Sequence, residues 1–169
     1  MRPAPLFLAL CLMVPAVAPA AAQDGRVNHF IDFRARPGAL WGHTFILYGR
    51  VDQRGQPLEL HRAGLYPDEG RPALIFGTFV PVRAAVRAVP DDLSETPSAI
   101  YRRTLTPAQY VRLKSTVAGI RANDHAWHML MHNCNHFADL VAQSLGLYTP
   151  PSMLVPNAWV RALKAMNER

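Results

Sequence analysis

Once its N-terminus is set aside, this chain keeps a single cysteine, and that limits how it can be held together. Two cysteines occur in 169 residues, Cys11 and Cys134. Cys11 lies within Leu6 to Ala18, an apolar run broken by Pro15, preceded by Arg2 and followed by Ala20-Ala21-Ala22. A positive start, an apolar stretch and a small-residue cleavage site make the pattern of an export signal. The stretch is too short and too proline-broken to span a bilayer. A lipoprotein signal does not fit, because Cys11 sits inside the run and follows Leu10. Residues 1–22 are therefore read as a signal peptide and residues 23–169 as one exported domain, periplasmic or secreted. No intrachain disulfide can then form, and the remaining 147 residues must fold around one hydrophobic core. An idle thiol in an oxidising space is a liability. Cys134 is kept for its chemistry, or else it is buried.

Cleavage leaves 17 Lys and Arg against 12 Asp and Glu, a net charge of +5. The arginines are scattered, and no run of five or more basic residues marks a nucleic-acid tail. No nucleic-acid partner and no stable membrane insertion of the cleaved chain are expected. The charge suggests only a mild preference for anionic partners such as cell-envelope polymers. The pattern specifies no oligomeric state.

Val27–Phe33 and Thr44–Tyr48 have the β-branched and aromatic composition of strands. Asp52-Gln53-Arg54-Gly55 reads as a turn and Leu58–Arg62 as the returning strand, with loop over Ala63–Pro72. Leu74–Val89 fits helix or strand, since Gly77 and Pro81 interrupt its apolar spacing. Ile100–Leu105 is a strand. Thr106, Pro107 and Gln109 then form the clearest helix start in the chain, with Tyr110, Leu113, Val117 and Ile120 on its inner face. Trp127–Met131 is a strand or the approach to a helix that begins near Asn133 or Cys134. Phe137, Leu140, Val141 and Leu145 form that helix's expected buried stripe, and Gly146 ends it. After Thr149-Pro150-Pro151 a last helix covers Asn157–Met166, with Trp159 and Leu163 turned inward. These elements make a single α+β domain, an antiparallel sheet packed against helices.

Cys134 falls in the first turn of its helix, where unpaired backbone N–H groups and the helix dipole favour a thiolate. The same N–H groups can hold the oxyanion formed when sulfur attacks a carbonyl. Asn133 and Asn135, on either side, are candidates for orienting the thiol or the oxyanion. A base has to come from another element, because neighbours at i±2 in a helix start point apart. His43 opens the Thr44–Tyr48 strand beside Gly42 and is the candidate base. His61, at the end of the returning strand, is the candidate for fixing its tautomer. Zinc is the rival reading. His128, His132 and His136 recur at i, i+4 and i+8 beside Cys134, but a helix start near Cys134 separates them, and the paired ligand spacing of zinc sites is missing. No metal and no cofactor are expected. His29 and His125 read as surface residues.

The order of these islands, His43 in WGHTFILYG and later Cys134 in HNCNHFADLVAQSLG, resembles the permuted papain-like thiol hydrolases. Within that group the Asn-Cys-Asn core, Phe137 and Val141-Ala142-Gln143 are most similar to the desumoylating isopeptidase (PPPDE) family. The resemblance spans roughly residues 41–49 and 132–145. It implies a permuted papain-like (NlpC-like) fold and a Cys134–His43 dyad cleaving an amide or isopeptide bond, here in a peptide or cell-envelope substrate. The lecithin:retinol acyltransferase-like group shares Asn-Cys-x-His-Phe and a second strand histidine, which His61 would match, but has Glu at the position of Asn135. That branch implies acyl transfer or lipid hydrolysis as the alternative chemistry. A non-catalytic binding domain on the same scaffold is the alternative from another class.

Overall fold

The computed structural model describes residues 27–38, 42–68 and 70–168. The expected export signal, residues 1–22, lies outside them. Five strands form the body of the sheet: β1 Asn28–Arg36, β2 His43–Val51, β3 Pro57–Pro67, β4 Val82–Arg87 and β5 Ala99–Leu105, the first three with continuous buried runs and the last two alternating. A two-residue strand, β6 Ala126–Trp127, completes a six-stranded antiparallel sheet in the order β5-β1-β2-β3-β4-β6. The helices among the described residues are α1 Gly70–Phe76, α2 Asp91–Ser94, α3 Pro107–Asn123, α4 Cys134–Ser144 and α5 Pro156–Asn167. The fold is α+β, as expected.

One face of the sheet carries Ile31, Phe33, Ile46, Tyr48, Ala63, Leu65 and Tyr101, and the inner faces of α3, α4 and α5 cover it. Trp159, Phe137 and Leu113 are fully buried at the centre. Burying side chains of that size contributes about 1.5–3 kcal/mol each, so this layer holds the chain without a disulfide. The helix ends are set locally. Thr106 Oγ1 accepts from Gln109 N at 3.2 Å while Gln109 Oε1 accepts from Thr106 N at 2.9 Å, which starts α3. Gly146, at φ 79°, closes α4 as Leu147 N–H and Gly146 N–H return to Ala142 O and Gln143 O.

Several expectations are corrected. β3 does not stop at Arg62 but runs to Pro67, because Ala63 and Leu65 enter the core and Gly64–Pro67 pairs with β4. The ambiguous stretch 74–89 divides at Gly77 and Pro81 into the end of α1 and the strand β4. Trp127–Met131 is strand only at its first residue and turn beyond. Leu140 is 44% exposed, and Ala138 and Ala142 take the buried positions of α4 instead. Two alanines let the helix lie close on the sheet, so its buried stripe shifts away from Leu140.

Candidate active site

The hairpin β2–β3 positions the site. Asp52 builds its turn, accepting from Arg54 N and Gln56 N at 2.8 Å each through Oδ1, and Gly55 supplies φ 78°. From there the β2–β3 ladder runs back only as far as Ile46 opposite Ala63. β2 continues to His43 in register with β1, while β3 continues to Pro67 in register with β4. The two strands therefore part like a fork, and α4 begins at the opening.

Cys134 is the first residue of α4 and is 8% exposed. The backbone N–H groups of Thr44, Asn135 and Cys134 itself act on the thiol in the direction that favours thiolate. Burial outweighs them and pushes the thiol above its ordinary value. The helix start thus acts in the expected direction, but the resting group is a thiol. The Thr44 hydroxyl also lies beside the sulfur. Its one proton goes to Asn135 Oδ1 at 2.6 Å, so the sulfur keeps only the backbone donor of Thr44.

His43 stands on the other prong with its ring 4.1 Å from that of Tyr66 and nearly parallel to that of Phe45 at 6.5 Å. The residue as a whole is half-buried, but Nε2 is sealed and has no hydrogen-bond partner, Cys134 Sγ included. Burial, and then the guanidinium of its cross-strand neighbour Arg36, lower the imidazole from 6.5 to about 3. At rest there is therefore a neutral thiol at the start of α4 and a neutral imidazole on β2. Tyr66 is common to both, since its ring lies on His43 and a charge on Cys134 would act on its hydroxyl.

Asn133 and Asn135 have separate jobs. Asn133 caps α4: its Oδ1 accepts from Asn135 N at 2.8 Å, and its Nδ2 donates to Met129 O at 2.5 Å. Asn135 is buried, accepts from Thr44 and donates to Leu154 O at 2.6 Å and Ser152 O at 3.1 Å. Both amides are committed to carbonyls, so an oxyanion role for these side chains is not what the geometry offers. They orient: Asn135 ties the helix start to β2 and to the 152–154 loop.

His61 is not beside His43. It sits opposite Tyr48, five residues along β2, which is ~16 Å at strand rise. Its exposed ring pairs with Glu59 Oε1 at 2.6 Å, and Glu59 also takes Arg50 Nε at 2.6 Å. Hydrogen bonding from His61, followed by Arg50, holds the Glu59 carboxyl down at about 2. The expected tautomer-fixing role is corrected accordingly. His61→Ala is expected to leave kcat and KM within about twofold of wild type at every pH between 5 and 9, since the site lies well beyond a Debye length of ~8 Å. A shifted pH–rate profile in that variant would contradict the placement.

The other histidines have partners of their own. His132 Nε2 lies 2.6 Å from Asp124 Oδ2, and His136 Nδ1 accepts Asn133 N–H at 3.1 Å. Among the described residues no group of three or more His, Cys, Asp or Glu side chains is arranged to hold a metal ion. Sequence reasoning missed Thr44, Gly64, Tyr66, Asp92 and Arg36. Tyr66 was legible by counting outward from the Asp52–Gly55 turn, because a hairpin pairs residues equidistant from its turn. Asp92 carried no signal. No family model, no curated protein and no solved structure matches this chain.

Proposed function

We propose that this protein is an exported cysteine hydrolase of permuted papain-like fold, related to the desumoylating isopeptidases, that cleaves an amide bond in a peptide or cell-envelope substrate. The observation that carries the reading is Cys134 at the first turn of α4, at the opening of the fork that bears His43. His43 removes the thiol proton as Sγ bonds to the carbonyl carbon, and the oxygen becomes an oxyanion held by N–H groups at the helix start. The amide C–N bond then breaks, the amine leaves with the proton from His43, and water releases the acyl group by the reverse roles. His43 is neutral at rest and so has a free lone pair for the proton, and its value of about 3 has to rise toward the working pH as the thiol is engaged.

A second reading, acyl ester or lipid-amide hydrolysis, is favoured by the rim. Leu130, Met131, Met153 and Val155 are all about half exposed or more, on the two loops whose carbonyls hold Asn133 and Asn135. Exposed apolar clusters of this kind mark binding surfaces. The test exposes the protein to envelope peptide fragments and, separately, to a nitrophenyl acyl ester, and reads covalent adducts on Cys134 by intact mass and peptide mapping. A peptide-derived acyl adduct that Cys134→Ser abolishes supports the amide reading, and an adduct with the ester alone supports the second. If neither reagent acylates Cys134 faster than a free thiol of the same pKa, the protein is a binding domain.

A further inference from the structure

We propose that Tyr66, anchored by Asp92 and Arg36, is the positioning residue of His43: it fixes the imidazole plane and offers Nε2 an acceptor when the ring takes up a proton. The inference rests on the hydrolase reading above. Tyr66 occupies the prong of β3 that faces His43, and the two rings are in contact at 4.1 Å. Its hydroxyl donates to Asp92 Oδ1 in a short bond. Asp92 is wholly buried and is itself held by Arg36 Nε at 3.3 Å and Val89 N at 3.3 Å. Arg36 belongs to β1, directly opposite His43. A buried aspartate thus links the strand before His43 to the ring packed on His43.

Gly64 shows how closely the parts fit. A side-chain carbon there would lie 2.7 Å from His43 Nε2 and 3.1 Å from Tyr66 Oη. The two polar atoms close so tightly on this backbone position that no side-chain carbon fits between them. Because Tyr66 gives its proton to Asp92, its lone pairs remain for an Nε2–H. Burial, with the Asp92 hydrogen bond next, keeps the phenol protonated, so Tyr66 gains and loses no proton during the reaction. The charged and titratable groups around the ring are Arg36 from β1, Tyr66 from β3, Asp92 from α2 through Tyr66, and Cys134 from α4.

The alkylation of Cys134 by iodoacetamide, mapped to that residue and measured from pH 4 to 9, tests this without a substrate. Tyr66→Phe keeps the ring and removes the acceptor, and it should slow alkylation at pH 7 by ~10-fold, the usual loss for an orienting partner. It should also move the inflection that His43→Ala abolishes, and the double variant should react no more slowly than His43→Ala. If Tyr66→Phe matches wild type while His43→Ala is slow, the positioning role is overturned and the dyad stands. If His43→Ala also matches wild type, the hydrolase reading fails and this inference with it. Should Tyr66→Phe not fold, Gly64→Ala puts a carbon against His43 Nε2 and the Tyr66 ring and so forces the two rings apart. It is expected to show the same slowing and the same moved inflection, and a wild-type profile there overturns the proposal.

Discussion

Cys134→Ser and His43→Ala are each expected to lower kcat/KM by at least ~10⁴-fold, and the double variant to be no worse than the poorer single one. Members of one catalytic unit fail together, so their losses do not add. Serine differs from cysteine by one atom, and Cys134 contributes little packing at the end of α4, where Asn133, Asn135 and the buried alanines hold the helix. The melting temperature of Cys134→Ser should therefore stay within about 4 °C of wild type, equivalent to ~1 kcal/mol for a chain of this size. Steady-state kinetics on the substrate found by the adduct experiment, with calorimetry on the same samples, read both quantities. Additive losses, or a Cys134→Ser protein that melts far below wild type, would mean that the thiol holds the fold together and is no nucleophile.

Acid should unfold this protein through His43. The imidazole titrates at about 3 in the fold against 6.5 in the unfolded chain, so between those values the unfolded state binds a proton that the folded state refuses. Stability is then complete above pH 6.5 and falls as the pH drops, with a slope of up to ~1.4 kcal/mol per pH unit and a total on the order of 5 kcal/mol. That is a large share of the ~5–15 kcal/mol that holds a domain of this size. The thiol behaves in mirror image. Its folded value is raised above 9.0, so its contribution is present below pH 9 and is lost as the pH rises through the folded value. Urea titrations at pH 7, 6, 5 and 4 should show the acid slope in wild type and a flatter one in His43→Phe, which keeps an aromatic ring against Tyr66. Every other titratable group is the same in both proteins, so the difference between the curves belongs to His43. Identical slopes would show that the ring accepts a proton freely in the fold.

On the proposed hydrolase reading, a buried neutral thiol is protected from oxidants until a substrate carbonyl enters, as a preformed thiolate would not be. The backbone N–H groups of Thr44, Cys134 and Asn135 then matter most as charge develops.

What the amino-acid order decided alone was local. Thr106-Pro107 with Gln109, Asn133 before Cys134, and Gly146 after α4 act through bonds spanning three to five residues, so the helices on which the site depends start and stop where those residues stand. The α+β class follows from the same local signals together with the β-branched and aromatic composition of β1 and β2. The placement of partners was decided in three dimensions. The glycine, prolines and charges between Ala63 and Pro72 look like loop, yet Ala63 to Pro67 is strand, because β4 and the core give its backbone and side chains partners that no local property announces. That extension carries Tyr66 to His43 and leaves His61 outside with Glu59. The pKa values were decided there too. A helix start argues for a low thiol pKa and an exposed strand end for an ordinary histidine, but desolvation depends on everything packed around a group, and in this fold it governs both.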